Sequence, residues 1–313
     1  MSRLPPGDTS EQAVVAVLCA DLHISQKPPL ARSSEADWYL AMERQLVELR
    51  RLTDGIPLII AGDLFDRWNP PVELVNFALK HFPSERQVFA IPGQHDLPNH
   101  SYQEIKRSAY WTLVEAGRII HLSPKEPASI DGLRIWGFPF GYPIQPLEDP
   151  HDLVLEVAVV HAYWWVKNTG YQDAPEEARV GKHKDQFLGY DVVVIGDNHT
   201  PWHCRVGSTQ LWNNGGFYRR KIDEIQHKPS VGLLHVDGTI TRHFLDVSKD
   251  QFLLPEEYKG LLEFEGMAEF IAEVGKLGDS VVDFQDALKQ FLHRKRVHPK
   301  VKKWIVQALE KKA

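Results

Sequence analysis

Five short apolar runs in this chain each end in residues that can hold a metal ion or move a proton. AVVAVLCA (13–20) leads into Asp21 and His23, PLIIA (57–61) into GDLFD with Asp63 and Asp66, and QVFAI (87–91) into PGQHD with Gln94, His95 and Asp96. LEVAVV (155–160) leads into His161, and DVVVI (191–195) into GDNH with Asp197, Asn198 and His199. Taken singly, each ending has an ordinary explanation: Gly-Asp and Asp-x-His are turn formers, and a lone histidine after a strand is often a satisfied core residue. In open α/β sheets, however, ligands bind beyond the carboxyl ends of the strands, so five such endings can converge on one crevice. Carboxylates, imidazoles and an amide oxygen suit two divalent cations about 3.5–4 Å apart, bridged by a carboxylate such as Asp63. Such a pair deprotonates a bridging water and clamps the attacking and leaving oxygens of an in-line phosphoryl displacement.

The elements that must position these residues are legible as pattern. The apolar, β-branched runs read as buried strands. Between the first three lie helical patterns: Glu35 to Thr53, with Trp38, Met42, Leu46 and Leu49 on one face, and Pro71 to Phe82, which opens with prolines. Strand-helix-strand alternation predicts a largely parallel sheet layered with helices, an α/β fold. From Gly132 to Leu245 the sequence turns hairpin-like, with Asp237-Gly238 as a tight turn, and predicts a second, more antiparallel sheet packed on the first. The chain therefore divides into a disordered start at 1–12, a domain at 13–246 and a helical C-terminal segment at 247–313.

Composition bounds the rest. In 313 residues, 43% hydrophobic with 9 tryptophans, there is enough apolar surface for one large core. Only two cysteines, Cys19 and Cys204, argue against a disulfide framework and fit a reducing, cytoplasmic compartment. The first dozen residues lack a signal-peptide pattern, and no run is long enough to span a bilayer, so no membrane partner is expected. A formal charge of -6 argues against a uniformly basic nucleic-acid binder, yet carboxylates gathered around metal ions leave a polyanionic substrate open.

The order D-x-H, G-D-x-x-D, Gly93-Gln94-His95-Asp96, His161 and Gly196-Asp197-x-His199 resembles the calcineurin-like metallophosphoesterase superfamily across about residues 13–246. The resemblance implies a four-layer α-β-β-α sandwich. GDLFDRW (62–68), WNNGGFYRR (212–220) and the helical C-terminal extension look most like the SbcD-type double-strand-break-repair nucleases of bacteria and phages. Carried over residue by residue, the resemblance implies that Asp21, His23, Asp63 and His199 hold one metal. Asp63, Gln94, His161 and the residue at Asp197 would hold the second, with manganese the first expectation and magnesium the other. His95 would contact the scissile phosphate and protonate the leaving oxygen, oriented by Asp96.

Two positions depart from the family pattern: Gln94 replaces an asparagine and Asp197 a histidine, both around the same ion. A longer ligand beside a shorter one can compensate, while the added carboxylate makes a water there less acidic. The alternative is that Asp197 sits behind the ligands or in a turn and the second site is weak. His203 is a substitute ligand unless it lies on the next strand. In the stretch 163–187, Trp164, Trp165 and Tyr171 can stack bases and Lys167, Lys182 and Lys184 can contact phosphates, or the aromatics can simply cap the sheet. Arg219, Arg220 and Lys221 are further candidate phosphate contacts, against the alternative of a solvated basic run.

The leading expectation is a metal-dependent phosphodiesterase acting as a DNA exo/endonuclease in recombination or repair. The alternatives are a phosphoesterase for a small substrate such as a nucleotide, and a nuclease-derived DNA- or partner-binding subunit with impaired catalysis. Expected partners are DNA, an SMC-like ATPase docked through two helices that meet near His298-Pro299, and a second copy of the chain as a candidate homodimer. Cleavage polarity and strand preference are not encoded in any of these patterns.

Overall fold

A computed structural model describes residues 13–85, 87–254 and 256. The described residues through Phe252 belong to one compact unit. The disorder expected at 1–12 and the helices expected within 257–313 lie outside the described residues.

In chain order the strands are β1 (Val14–Cys19), β2 (Leu58–Ala61), β3 (Val88–Ile91), β4 (Ile120–His121), β5 (Ala128–Ile130), β6 (Leu133–Phe138), β7 (Leu155–His161), β8 (Val192–Gly196), β9 (Trp202–Val206), β10 (Thr209–Asn213), β11 (Ser230–His235) and β12 (Ile240–Phe244). The helices are α1 (Trp38–Leu52), α2 (Val72–His81) and α3 (Ala109–Glu115). Two six-stranded sheets result, ordered β12-β11-β1-β2-β3-β4 and β5-β6-β7-β8-β10-β9.

Side-chain alternation explains why the strands read as unbroken apolar runs. In the first sheet Val17, Cys19, Leu58, Ile60, Val88 and Ala90 face α1, α2 and α3, while Ala16, Leu18, Ile59, Ala61, Phe89 and Ile91 face the second sheet. In the second sheet Val157, Val159, Val192 and Val194 point inward, and Ala158, Val160, Val193 and Ile195 point outward. Each fully buried Val, Leu or Ile contributes about 1.5–3 kcal/mol, so the layer between the sheets sets their stacking. It also brings the carboxyl ends of β1, β2, β3, β7 and β8 to one edge.

The helices form for local reasons. α1 is capped by Asp37, whose side chain accepts from the Leu40 N–H, and buries Trp38, Ala41, Met42, Gln45, Leu46 and Leu49 along one face. It starts at Trp38 rather than Glu35, because Asp37 is extended (φ −143°, ψ 110°) and serves as the N-cap. α2 follows the Pro70-Pro71 pair. Ser108 caps α3 through the Trp111 N–H, a short helix absent from the sequence reading.

Two expectations change. The β11–β12 hairpin joins the first sheet, β11 running antiparallel to β1, and not the second. The second sheet is largely parallel through β6, β7, β8 and β10, with antiparallel strands only at its edges. Just beyond residue 247 the Asp250 side chain is buried and accepts from Arg32 Nη2 at 2.9 Å and Arg219 Nε at 3.0 Å. The outermost layer, over the second sheet, consists of 3₁₀ turns (Glu176–Ala178, Val180–Lys182, Lys184–Phe187) and buried aromatics. Among the described residues no helix is long and apolar enough to cross a membrane.

Candidate metal centre

The site lies on the loops that leave five strands, and its backbone is held in an unusual conformation. Asp21 and His23 after β1, Asp63 after β2 and Asp197 after β8 all have positive φ, at 54°, 42°, 50° and 90°. For residues with a Cβ such geometry costs on the order of 1–3 kcal/mol each and persists only when neighbours enforce it. Here the loops after β1 and β2 run side by side, with Asp21 N donating to Gly62 O (3.0 Å), His23 N to Asp63 O (2.9 Å) and Ile24 N to Leu64 O (2.9 Å). Gly93 lets the loop after β3 approach: a Cβ there would lie 2.1 Å from Asp63 Oδ1 and 2.5 Å from the Asp63 backbone nitrogen.

Asp63 is the centre of the arrangement. Its Oδ1 accepts from the His95 N–H at 2.9 Å. Its Oδ2 is buried with no hydrogen-bond partner among the described residues, yet faces Nε2 of His161 at 3.5 Å, His23 at 3.6 Å and His95 at 4.0 Å. His23 Nε2 lies 3.1 Å from His199 Nε2, which is 4.0 Å from Asp21 Oδ1. Three sets of converging donors result: Asp21, His23 and His199; His23, Asp63 and His95; Asp21, Asp63 and His161. A buried anionic oxygen without a donor is costly. The surrounding carboxylate oxygens and imidazole nitrogens are the ligand types that divalent ions take, so these residues fit such ions.

Electrostatics agree. Burial drives His23 well below the usual imidazole range and His199 down to about 4, leaving neutral rings whose lone pairs are free to bind. Burial also opposes charge on His161, but Asp63, with Asp21 and Asp197, overrides it and pushes that imidazole up to about 10. The cause is visible: Asp63 Oδ2 stands 3.5 Å from His161 Nε2 in a buried setting. His161 Nδ1 faces Ala61 O at 2.7 Å and Nε2 faces Gln94 Oε1 at 2.7 Å. The Ala61 carbonyl holds the Nδ1–H, so Nε2 is the nitrogen whose proton a cation would displace.

The residues of the third loop divide their labour differently from the expectation. Asp96 does not orient the His95 ring. Its fully buried carboxylate accepts from the N–H groups of Leu64 (3.0 Å), Phe65 (2.9 Å) and Gly93 (3.1 Å), tying the loops after β2 and β3 together. The carbonyl of Asp66, 3.0 Å from Nδ1, orients the His95 ring instead, and that side chain is 43% exposed. Gln94 spans the space between His161 and Asp197, donating from Nε2 to Asp197 Oδ1 at 2.8 Å. Asp197 belongs to none of the three donor sets among the described residues. Its backbone N–H donates to both Asp21 carboxylate oxygens at 3.1 Å.

Of the candidate substrate contacts, two are taken up by structure. Trp164 is buried, stacked on His183 with centroids 4.8 Å apart, and caps the second sheet rather than offering a face to a base. Arg219 directs its guanidinium to Asp250, to Ile225 O (2.7 Å) and to Val247 O (2.9 Å), so it is not a phosphate contact. Arg220 points the other way, onto the Asp66 carboxylate at the lip of the site. Lys167 is exposed on a turn with φ 49°. Trp165 lies beneath the Arg179 guanidinium and Tyr171 is exposed. His203 sits on β9, paired with Trp212.

Sequence reasoning missed the buried asparagines that lock the loops. Asn213 Nδ2 donates to Asn198 O at 2.9 Å, and Asn214 Nδ2 reaches Ala20 O at 3.3 Å, fixing the backbone beside His199 and Asp21. Two adjacent asparagines where β10 ends, directly after Leu211 and Trp212, were the available signal.

A family model for calcineurin-like phosphoesterases matches residues 15–201. In a comparison with curated proteins nothing matches the chain. Among solved structures, the chain is similar to one from Thermus thermophilus (11% identity, TM-score 0.43, 75% of this chain and 100% of that one). It is similar also to one described as a novel archaeal phosphodiesterase (12%, 0.39, 74% and 99%). A putative 5′-nucleotidase from Staphylococcus aureus is likewise similar (14%, 0.43, 79% of this chain and 56% of that one).

Proposed function

The chain belongs to the calcineurin-like phosphoesterase family, and from that premise we propose that it is a manganese-dependent phosphodiesterase acting on DNA, a nuclease of the SbcD type in recombination or repair. The observation that carries the hydrolytic part is the buried Asp63 Oδ2, without a hydrogen-bond partner among the described residues and faced by three imidazole nitrogens. Asp21, His23, Asp63 and His199 would hold one divalent ion, and Asp63, Gln94 and His161 a second. Bound there, such ions supply Lewis acidity that acidifies water and offsets charge on phosphate oxygens.

The chain's own groups do the rest. Asp63 must stay ionised: burial raises its pKa, but His161 and His23 beside it lower it further. His95, anchored through Nδ1–H on the Asp66 carbonyl, turns Nε2 toward Asp63 and can carry a proton there to a leaving oxygen. Arg220, beside His23 and His199, offers a guanidinium to a phosphate at the same lip. The DNA part of the reading rests on GDLFDRW and WNNGGFYRR, with exposed Lys167, Lys182, Lys184 and Tyr171 as candidate contacts beyond the scissile bond. The segment 247–313 is proposed to dock an SMC-like ATPase or DNA.

The test is hydrolysis by purified full-length protein, with manganese, magnesium or chelator, of labelled duplex DNA, single-stranded DNA and an aryl phosphodiester. DNA cleavage that needs the metal is expected. Hydrolysis of the aryl ester with both DNAs intact would sink the nuclease assignment, and metal-independent cleavage would sink the whole reading.

A further inference from the structure

Gln94 and Asp197 meet directly, and their geometry bears on how evenly the metal centre is built. Gln94 Oε1 lies 2.7 Å from His161 Nε2, the side of the amide that can ligate, while Gln94 Nε2 donates to Asp197 Oδ1 at 2.8 Å. Adjacent donors on one small divalent ion lie about 3 Å apart, so the Gln94 oxygen and His161 nitrogen, hydrogen-bonded at 2.7 Å, need separate only by a few tenths of an ångström to act as a ligand pair. The amide nitrogen is a pure donor, and the carboxylate oxygen that accepts from it lies on the side of the amide away from the ligating oxygen. Asp197 cannot easily advance, since its backbone N–H is held by both Asp21 oxygens at 3.1 Å and its φ is 90°.

We propose that Asp197 is a positioning residue and not a metal ligand: it holds the Gln94 amide with its oxygen aimed beside His161, which leaves the second ion with three protein ligands against four for the first. The two ions then bind unequally. The longer Gln94 closes the gap to Asp197, and the anionic acceptor polarises the amide so that its oxygen becomes the better donor to a cation. This inference rests on the metal centre of the proposed function.

Metal-stripped protein titrated with manganese, with bound ion counted by calorimetry and elemental analysis, separates the cases. Wild-type protein should bind one ion at least tenfold more tightly than the second. Asp197→Asn keeps an acceptor of the same length for the Gln94 amide and should leave the weaker site within about threefold, whereas Asp197→Ala should weaken it by about 10–100-fold, the usual loss when a ligand's supporting partner goes. The tight site should be unchanged in both variants, which also reports that they fold. Two ions of equal affinity in wild-type protein, or equal weakening by Asn and Ala, would overturn the positioning role. No bound ion at all would overturn the metal centre along with it.

Discussion

Replacing His95 with alanine separates proton transfer from metal binding. Adjacent donors on an ion with bonds near 2.1 Å lie about 3.0–3.4 Å apart, and only opposite donors reach about 4.2 Å. The separations of 3.1 Å (His23–His199), 3.5 Å (His161–Asp63) and 4.0 Å (His199–Asp21 and His95–Asp63) all fall between adjacent and opposite positions, so what sets His95 apart is the exposure and anchoring of its ring. Its Nδ1 is taken by the Asp66 carbonyl, and at 43% exposure its removal opens no core cavity, so stability should change by less than ~0.5 kcal/mol. Loss of a general acid costs about 10²–10⁴ in turnover, or about 3–5 kcal/mol of barrier. That loss should appear on DNA, whose alkoxide leaving group needs a proton. It should shrink to within about tenfold on an aryl phosphodiester, whose leaving group departs without one. Turnover of His95→Ala on both substrates, with metal content measured in parallel, decides the matter. Equal losses on the two substrates, or a missing ion, would refute the assignment.

Asp63→Asn should remove the shared anionic oxygen, lower bound metal at both sites and cut hydrolysis by more than about 10³-fold; elemental analysis together with kinetics checks it. Asp250→Ala would leave Arg32 and Arg219 short of a buried partner, at about 3–5 kcal/mol, and a fall in Tm of roughly 6–20 °C by calorimetry is expected. Burial holds His121 down at about 4 between Tyr102 and Tyr110, so the folded chain keeps it neutral while the unfolded chain titrates near 6.5. Its contribution is therefore present above about pH 6.5 and lost as pH falls toward 4, and His121→Gln should show a shallower decline in Tm over that window.

The strands and their terminal residues were legible because burial on both faces leaves no room for polar residues until the strand ends. At those ends Asp21, His23, Asp63, His161 and His199 stand out against an apolar background. What was not legible is set by distant partners. The Asp237-Gly238 turn marks the β11–β12 hairpin, but nothing local says that Val14 pairs with His235 and carries the hairpin into the first sheet. Asp96 looks catalytic beside His95, whereas its partners are backbone N–H groups that every residue but proline carries. Arg219 and Arg220 are adjacent and alike. One faces Asp250, thirty-one positions away in sequence, and the other faces Asp66. Trp164 follows a site histidine, yet it is the sheet beneath that needs its area.

The same residues explain how a strained centre can be kept rigid. Four site residues sit at positive φ, a combined penalty of several kcal/mol that the loops alone would relax. Relaxation is blocked from three directions. The loops after β1 and β2 are hydrogen-bonded side by side, and Asp96 gathers three N–H groups from the loop that carries Asp63 and the one that carries His95. Buried Asn213 and Asn214 hold the backbone beside His199 and Asp21. Any one of these ties contributes only about 1–3 kcal/mol, less than the combined strain, so the arrangement holds because they act on the same few residues together. It follows that the carboxylates and imidazoles are preorganised by backbone contacts rather than by one another. Losing one ligand side chain other than the shared Asp63 should therefore empty a site without collapsing its neighbours, whereas losing Asp96 should disorganise Asp63 and His95 at once.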